Sequence, residues 1–324
     1  MDMTVTAWEM ELTPTDESDQ QFTENIVLGI LTVILALVGL AGNAVVLWLL
    51  GFRMRRNAFS VYILNLAGAD FLFLCCHMIF FLDSIFNLYF VSEVISRFLS
   101  IVIMVAYISG LSFLSAISTE RCLSVLWPIW YRCHRPRKLS TIMCALLWAL
   151  SLLLSMLEGY YCRFLDWGVY HAWCQVFYFI TVAWLILLFV LLSGSSLALM
   201  TRLLCGSHRV SSTRLYMTVV LTVLVFLLCG LPIGIEWFLQ LWFTDEYPAV
   251  VHLHMILLLL SCVNSCANPI IYFFVGSFRQ QWWKQRHTLR LVLQRALQDT
   301  PEVGEPRESL PGEALEMSGS SLGQ

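Results

Sequence analysis

Ser261-Cys262-Val263-Asn264-Ser265-Cys266-Ala267-Asn268-Pro269-Ile270-Ile271-Tyr272 sets two asparagines and a helix-bending proline inside a stretch that is otherwise apolar from about residue 249 to about residue 275, long enough to cross a bilayer. Amide and ionisable side chains are costly in hydrocarbon and persist there where they pair, line a cavity or carry a function. The same pattern recurs upstream: Asn43, Asp70 and the pair Glu120-Arg121 each interrupt a separate apolar segment. Proline removes a backbone hydrogen bond and bends a helix, so Pro269 and the similarly placed Pro232 are read as kinks, with polar neighbours or water satisfying the freed carbonyls.

The composition agrees with a membrane protein. Of 324 residues, 59% are hydrophobic and only 13% charged, and the mean hydropathy is +0.75, too apolar for an ordinary soluble domain. Seven segments qualify as spans, at about 26–52, 59–82, 95–122, 139–161, 175–204, 214–242 and 249–275. The net charge of −3 says little, but the placement of charge says more. Of 19 Lys and Arg, only Arg97 and Arg163 fall on the loops of one side. The rest, including Arg53, Arg55, Arg56, Arg132, Arg135, Arg137, Lys138, Arg202, Arg209 and Arg214, fall on the other side or in the tail. The positive-inside rule then places the N-terminus outside and the C-terminus in the cytoplasm. The first 25 residues hold seven acids and no Lys or Arg, in keeping with translocation. That start is polar and acidic rather than a cleavable leader, so the first span is expected to act as the signal anchor.

Of 11 cysteines, only Cys162 and Cys174 fall at outer positions, bracketing the second outer loop. An oxidising exterior favours a disulfide between them; two free interfacial thiols are the alternative. The other nine read as packing residues.

The expected organisation is an extracellular segment 1–25, a bundle 26–275, an amphipathic helix 276–298 and a disordered tail 299–324. Phe278, Trp282, Leu289, Leu293 and Leu297 share one helical stripe, with Arg279, Lys284, Arg286, Arg290 and Arg295 around it. This reads as a helix on the inner membrane face or as a solvated helix that binds another protein. The tail is rich in Glu, Pro, Gly and Ser, and Ser309, Ser318, Ser320 and Ser321 are candidate phosphorylation sites.

Gly42-Asn43, Leu66-Ala67-Gly68-Ala69-Asp70, Glu120-Arg121-Cys122, Trp148, Cys229-Gly230-Leu231-Pro232 and Asn268-Pro269-Ile270-Ile271-Tyr272 follow one another on six spans. Together they resemble the motifs of class A G-protein-coupled receptors, over nearly all of residues 26–297. The resemblance implies an all-α, seven-transmembrane helix bundle with a cytoplasmic amphipathic helix 8. It implies a non-enzymatic receptor of the plasma membrane whose partners are an agonist, a heterotrimeric G protein, membrane lipids and, through a phosphorylated tail, arrestin; no nucleic acid is expected. Glu120 stands in the position of the acidic residue of the DRY motif and is expected to pair with Arg121 or a nearby partner. Arg121, once released, meets the G protein. The usual acid at the base of span six is absent, with Ser211, Ser212 and Thr213 in its place, so some basal activity is expected. Pro232, Asn268, Pro269 and Tyr272 complete the activation set. Asn43, Asp70, Asn264 and Asn268 are expected to form a buried polar network. Receptors like this often hold a sodium ion there, but the span-three position that usually adds a serine is Gly110. A water-filled structural network is the alternative, and no other cofactor or metal is expected.

Gly230 replaces the usual tryptophan, span five lacks a proline, and span three lacks the outer cysteine that normally tethers the second outer loop. With Cys162/Cys174 and the runs Ser118-Thr119-Glu120-Arg121-Cys122-Leu123-Ser124-Val125-Leu126-Trp127-Pro128-Ile129-Trp130-Tyr131 and Gly276-Ser277-Phe278-Arg279, these departures look like the Mas-related receptors, and the run Leu291-Val292-Leu293-Gln294-Arg295-Ala296-Leu297-Gln298-Asp299 resembles their member X branch. The resemblance implies signalling through Gq and Gi in nociception, itch or mast-cell activation. It also implies a site for basic peptides or cationic amphiphiles at Glu158. Relatives place a second acid just after the span-five cysteine; here Cys174-Gln175-Val176-Phe177-Tyr178 offers none. Glu236 is a candidate substitute, or faces headgroups or solvent. Asp166 adds outer negative charge, and Phe177, Tyr178 and Trp237 are candidate walls for cation–π contact or interfacial anchors.

The alternatives are a receptor of the same fold for neutral or anionic lipid-like ligands, favoured by Tyr178, or a constitutively active receptor. A transporter or channel would show repeated halves and paired broken helices, and the sequence has neither. His77 and Ser109 form no hydrolase motif, and His208, His252 and His254 show no metal-ligand spacing with carboxylates.

Overall fold

The computed structural model describes residues 14–53, 58–86, 92–136, 138–164, 167–205, 221–239 and 248–277. Within these, helix follows helix: α1 (Pro14–Trp48), α2 (Ala58–Phe86), α3 (Glu93–Leu126), the short α4 (Pro128–Cys133), α5 (Leu139–Gly159), α6 (Trp167–Cys205), α7 (Leu231–Leu239) and α8 (Pro248–Ser277). Six are long and apolar enough to cross a bilayer; Leu221–Glu236 is a shorter apolar helix within the sixth expected span. The expected amphipathic helix from residue 278 and the tail lie outside the described residues, as do Asp166 and the third inner loop.

The helices are sorted by which face tolerates lipid. On α1, Thr32, Ala36, Asn43 and Val46 recur at helical spacing and are buried. Ile26, Ile30, Ile34, Leu37 and Val38 on the other face are exposed. Small and polar side chains go inward because lipid is as apolar as leucine, so close packing and hydrogen bonds hold the helices together. α3 is the axis: 83% of its most apolar stretch is buried, against 17% in α6. It packs on α2, α5 and α6, while α1 packs on α2 and α8.

Serines join α3 to α6. Ser115 Oγ donates to the Leu188 carbonyl at 3.0 Å, Ser118 Oγ lies 2.8 and 2.9 Å from the hydroxyls of Ser195 and Ser196, and Trp184 Nε1 donates to Ser112 Oγ at 3.3 Å. On the opposite flank, Trp148 Nε1 donates to Asn65 Oδ1 at 3.0 Å, tying α5 to α2.

Local sequence sets the breaks. Ser92 caps α3, accepting from the Ile95 N–H. At the other end Trp127 leaves the helix (φ −126°, ψ 63°) because Pro128 disfavours α backbone before it; Pro128 then starts α4, where its missing N–H costs nothing. Ahead of Pro232 the chain widens into a π turn, Phe226–Gly230, in which the Leu231 N–H reaches back to the Phe226 carbonyl. Such a bulge absorbs the register fault of a proline. Pro269 lies inside α8.

Candidate functional site

Three polar layers lie along α3. The outer layer is built around the second outer loop. A π turn, Tyr160–Phe164, ends α5, and the Cys162–Cys174 disulfide ties it to the start of α6 with Cα atoms 5.0 Å apart. The bond brings aromatic rings together: Tyr161 stacks on Phe177 (5.0 Å, 22°) and lies 6.2 Å from Trp173, with Tyr160 edge-on at 5.2 Å. Glu158, one turn before Cys162, is buried.

Glu236 is 5% exposed, which settles its direction: it points into the bundle. Its two carboxylate oxygens lie 2.9 and 3.1 Å from Nδ1 of His254 on α8. Tyr178 faces a different space, lined also by Met104, Tyr107, Thr181, Leu185 and Gly234, of about 10 Å³. That volume holds a single water at most, so this space takes no larger ligand, while a wider groove of about 210 Å³ opens between α6 and α7 past Leu185 and Gly234. The expected outer residues thus divide among three places: Phe177 with the disulfide cluster, Tyr178 in the closed space, Glu236 on the α7–α8 seam. Asp166 and the Trp237 side chain lie outside the described residues.

In the middle layer, Tyr107 Oη donates to the Gly230 carbonyl at 2.6 Å and Ser261 Oγ to the Cys229 carbonyl at 3.5 Å. Both acceptors lie in the proline-bent segment, where backbone carbonyls need partners. A side chain at Gly230 would begin 3.2 Å from Leu111 and 3.4 Å from Asn264 Oδ1, so Leu111 and Asn264 would have to give way to it.

The expected polar network is present in two parts. Asn268 Nδ2 donates to Asp70 Oδ2 at 2.8 Å. Asn43 instead donates to the carbonyls of Gly39 and Ser265, at 3.0 and 3.1 Å. Asn264 is buried, and its Oδ1 has no hydrogen-bond partner among the described residues. A Cβ at Gly110 would sit 3.7 Å from Asp70 Oδ1. The donor chemistry suits a hard cation, which takes oxygen ligands: Asp70 and Asn264 supply oxygens here, and Gly110 supplies none.

In the inner layer, Glu120 is held by Arg135 rather than Arg121. Arg135 donates from Nε at 3.1 Å and from Nη2 at 2.8 Å to the two carboxylate oxygens, and Tyr62 Oη donates at 3.1 Å. The pair is almost buried, with side-chain exposures of 6% and 8%. Burial works against the Arg135 charge, but the hydrogen bond and charge of Glu120 more than offset it, so the guanidinium stays protonated. Burial, and then the Glu120 charge, push the Tyr131 phenol up to about 12. Arg121 lies over the Phe59 ring, 4.6 Å from its centroid. The Tyr272 side chain lies outside the described residues.

Sequence reading missed Tyr107, Arg135 and His254 as working residues. Each is paired across 15 or more positions of chain, and none carries a local motif.

Residues 42–272 match the family described as 7 transmembrane receptor (rhodopsin family). The chain is 58% identical over 329 residues to the Mas-related G-protein coupled receptor member X2 of Rhinopithecus bieti, covering 99% of this chain and 100% of that protein. The human member X2 is 56% identical over 329 residues, again with 99% and 100% covered. The human member X1 is 58% identical over 327 residues, with 100% of both chains covered.

Proposed function

Because this chain belongs to the rhodopsin family of seven-transmembrane receptors, and within it to the Mas-related G-protein coupled receptors of the member X group, we propose that it senses basic peptides and cationic amphiphiles at the cell surface. Membership makes it a multi-pass plasma-membrane receptor that works with a ligand and a G protein, in a non-enzymatic class.

The observation that carries the ligand class is Glu158. Glu158 is 3% exposed at the outer end of α5, three positions before Tyr161, whose ring meets Trp173 and Phe177. A carboxylate in a poorly solvated setting attracts a cation more strongly than one in water, and aromatic faces add cation–π attraction. With the space beside Tyr178 closed at about 10 Å³, the ligand sits shallow, against the outer loops. Glu236 serves as the second carboxylate that the start of α6 lacks.

The N-terminus is outside and the C-terminus cytoplasmic, a reading supported by the basic residues of the inner loops and by a disulfide at the opposite end of the bundle. Binding shifts a two-state equilibrium in which α3 gives up its inner contacts and Arg121 meets a Gq or Gi protein. A phosphorylated tail then recruits arrestin. A sodium ion, where bound, is held by Asp70 and Asn264 and favours the resting state. The settings are nociception, itch or mast-cell activation.

The test is calcium release and cyclic AMP suppression in cells expressing the chain, challenged with basic peptides and amphipathic amines. The expected result is a response to cations that falls by about tenfold in potency in Glu158→Gln, the loss of one partly screened charge interaction. Unchanged potency in a variant present at the surface would remove Glu158 from the site. A response confined to neutral or acidic amphiphiles would overturn the ligand class.

A further inference from the structure

We propose that the groove between α6 and α7 is a binding site for the ring skeleton of a sterol, entered sideways from the bilayer. The site is separate from the cation site and does not depend on it. The groove encloses about 210 Å³. Val182, Ile186 and Phe189 line it from α6, and Leu231, Gly234 and Ile235 from α7. Ile186 and Ile235 form the lipid-facing rim, 57% and 55% exposed. Leu185 and Gly234 are buried and close the groove at the back. That wall is backed by packed atoms, since a Cβ at Gly234 would sit 2.8 Å from the Tyr107 hydroxyl and 3.0 Å from Leu185. An occupant therefore stays on the lipid side.

Depth and lining select the chemistry. The apolar span of α6 runs over Ala172–Arg202, so positions 182–189 lie around its middle, in the hydrocarbon core. The side chains that line the groove are all hydrocarbon. An ammonium, carboxylate or amide carried to this depth would lose its water and find no partner, so the part of the ligand held here is apolar. Lipid tails compete for the same space and are as apolar as its walls, so burial alone selects nothing. Order and shape decide instead. An acyl chain laid along the groove gives up its bond rotations. A fused ring skeleton has none to lose and keeps its dispersion contacts with the walls. From Val182 to Phe189 the groove runs about 10 Å along the helix, which suits four fused rings, and the missing side chain at Gly234 leaves a flat place for a flat ring face.

The position gives the occupant a hold on the bend in the sixth span. Leu231 closes the π turn, its N–H reaching the Phe226 carbonyl, and Leu231 and Gly234 stand on either side of Pro232 in the sequence. On the interior side the Gly230 carbonyl takes the hydrogen bond from Tyr107. A ring in the groove braces from the lipid the same segment that Tyr107 holds from within. It favours the bent arrangement over any in which α6 and α7 close together, because only the former offers it a site.

The experiment places the full chain in phosphatidylcholine nanodiscs with a trace of cholesterol that carries a photoreactive diazirine on its rings, and maps the labelled residues by mass spectrometry. Label is expected on the stretches 182–189 and 231–235, above the level on the lipid-facing sides of α1 and α5, and excess unlabelled cholesterol removes it. Ile186→Trp fills the groove from its rim and should cut this labelling by about tenfold. Ile235→Trp does the same from α7 where the first variant impairs folding. Leu197→Trp, on a lipid-exposed position of α6 outside the groove, should leave the labelling unchanged. Label spread evenly over the lipid-facing helices, or label that survives in both groove variants, overturns the site. A palmitic acid with a diazirine on its chain that labels the same stretches as strongly makes an acyl chain the occupant and overturns the sterol. An unlabelled groove in a chain that elutes as a dimer assigns the face to a second copy and overturns it too.

Discussion

The Tyr107 hydroxyl donates a 2.6 Å hydrogen bond to the carbonyl oxygen of Gly230, joining the middle of α3 to the turn that precedes Pro232. It is Gly234, one turn on, that leaves room for the phenol: a Cβ there would sit only 2.8 Å from the same hydroxyl.

Tyr107→Phe keeps the ring and deletes the donor. A buried carbonyl left without this partner costs about 1–3 kcal/mol, so the melting temperature should fall by a few degrees. Ligand-free signalling should rise, because α7 loses a tie to α3. Thermal unfolding in detergent and inositol phosphate accumulation without agonist check the two effects. An unchanged melting temperature would mean that the bond contributes nothing.

Arg135→Ala removes the main partner of a nearly buried carboxylate. Breaking such a pair costs roughly 3–5 kcal/mol, because the remaining charge is stranded. The variant should express poorly and be thermally weak. Adding Glu120→Gln to it should restore part of the loss, since the stranded charge is gone. If the double variant is no more stable than Arg135→Ala alone, the pair is not the source of the effect.

Phe59→Leu tests one of the contacts of Arg121. Loss of one cation–π contact, about 0.5–1 kcal/mol, predicts a rise in basal activity of about twofold to fivefold, with agonist affinity little changed. Basal nucleotide exchange on purified G protein reads this directly.

Sodium should raise the melting temperature of the chain, with potassium at equal ionic strength as the control. Asp70→Asn should abolish the difference. Gly110→Ser, whose Cβ fits at ordinary contact distance from Asp70, should enlarge it by adding an oxygen. Equal melting in the two salts would show that the Asp70 layer works without the ion.

Cys162→Ser with Cys174→Ser removes a crosslink spanning 12 positions. Loop-closure entropy gives about 3 kcal/mol for such a link. Surface expression should drop, and the potency of cationic agonists should fall with it as the Tyr161–Phe177 stack loosens. Full potency in the double variant would detach the aromatic cluster from ligand binding.

Much of this architecture was legible in advance because a polar residue in an apolar span is conspicuous. Asp70 and Asn268 announced themselves in that way and are bonded to each other. Cys162 and Cys174 stood out by topology alone. What stayed hidden depends on the relative rotation of two helices, which no single stretch encodes. Glu120 was expected to take Arg121 or another neighbour, and the partner proved to be Arg135, from the turn after α4. Gly230 read as the loss of a side chain; in the fold its backbone carbonyl is the working group. His254 looked like a span-end residue, and only the packing of α8 on α7 gave it an acid.

The contacts of α3 point in different directions at different depths: Tyr107 towards the bent turn, Ser115 and Ser118 towards α6, Glu120 towards Arg135 and Tyr62. A rod gripped from several sides at several heights resists twisting more than it resists tilting. Any turn of α3 about its own axis therefore disturbs every grip at once.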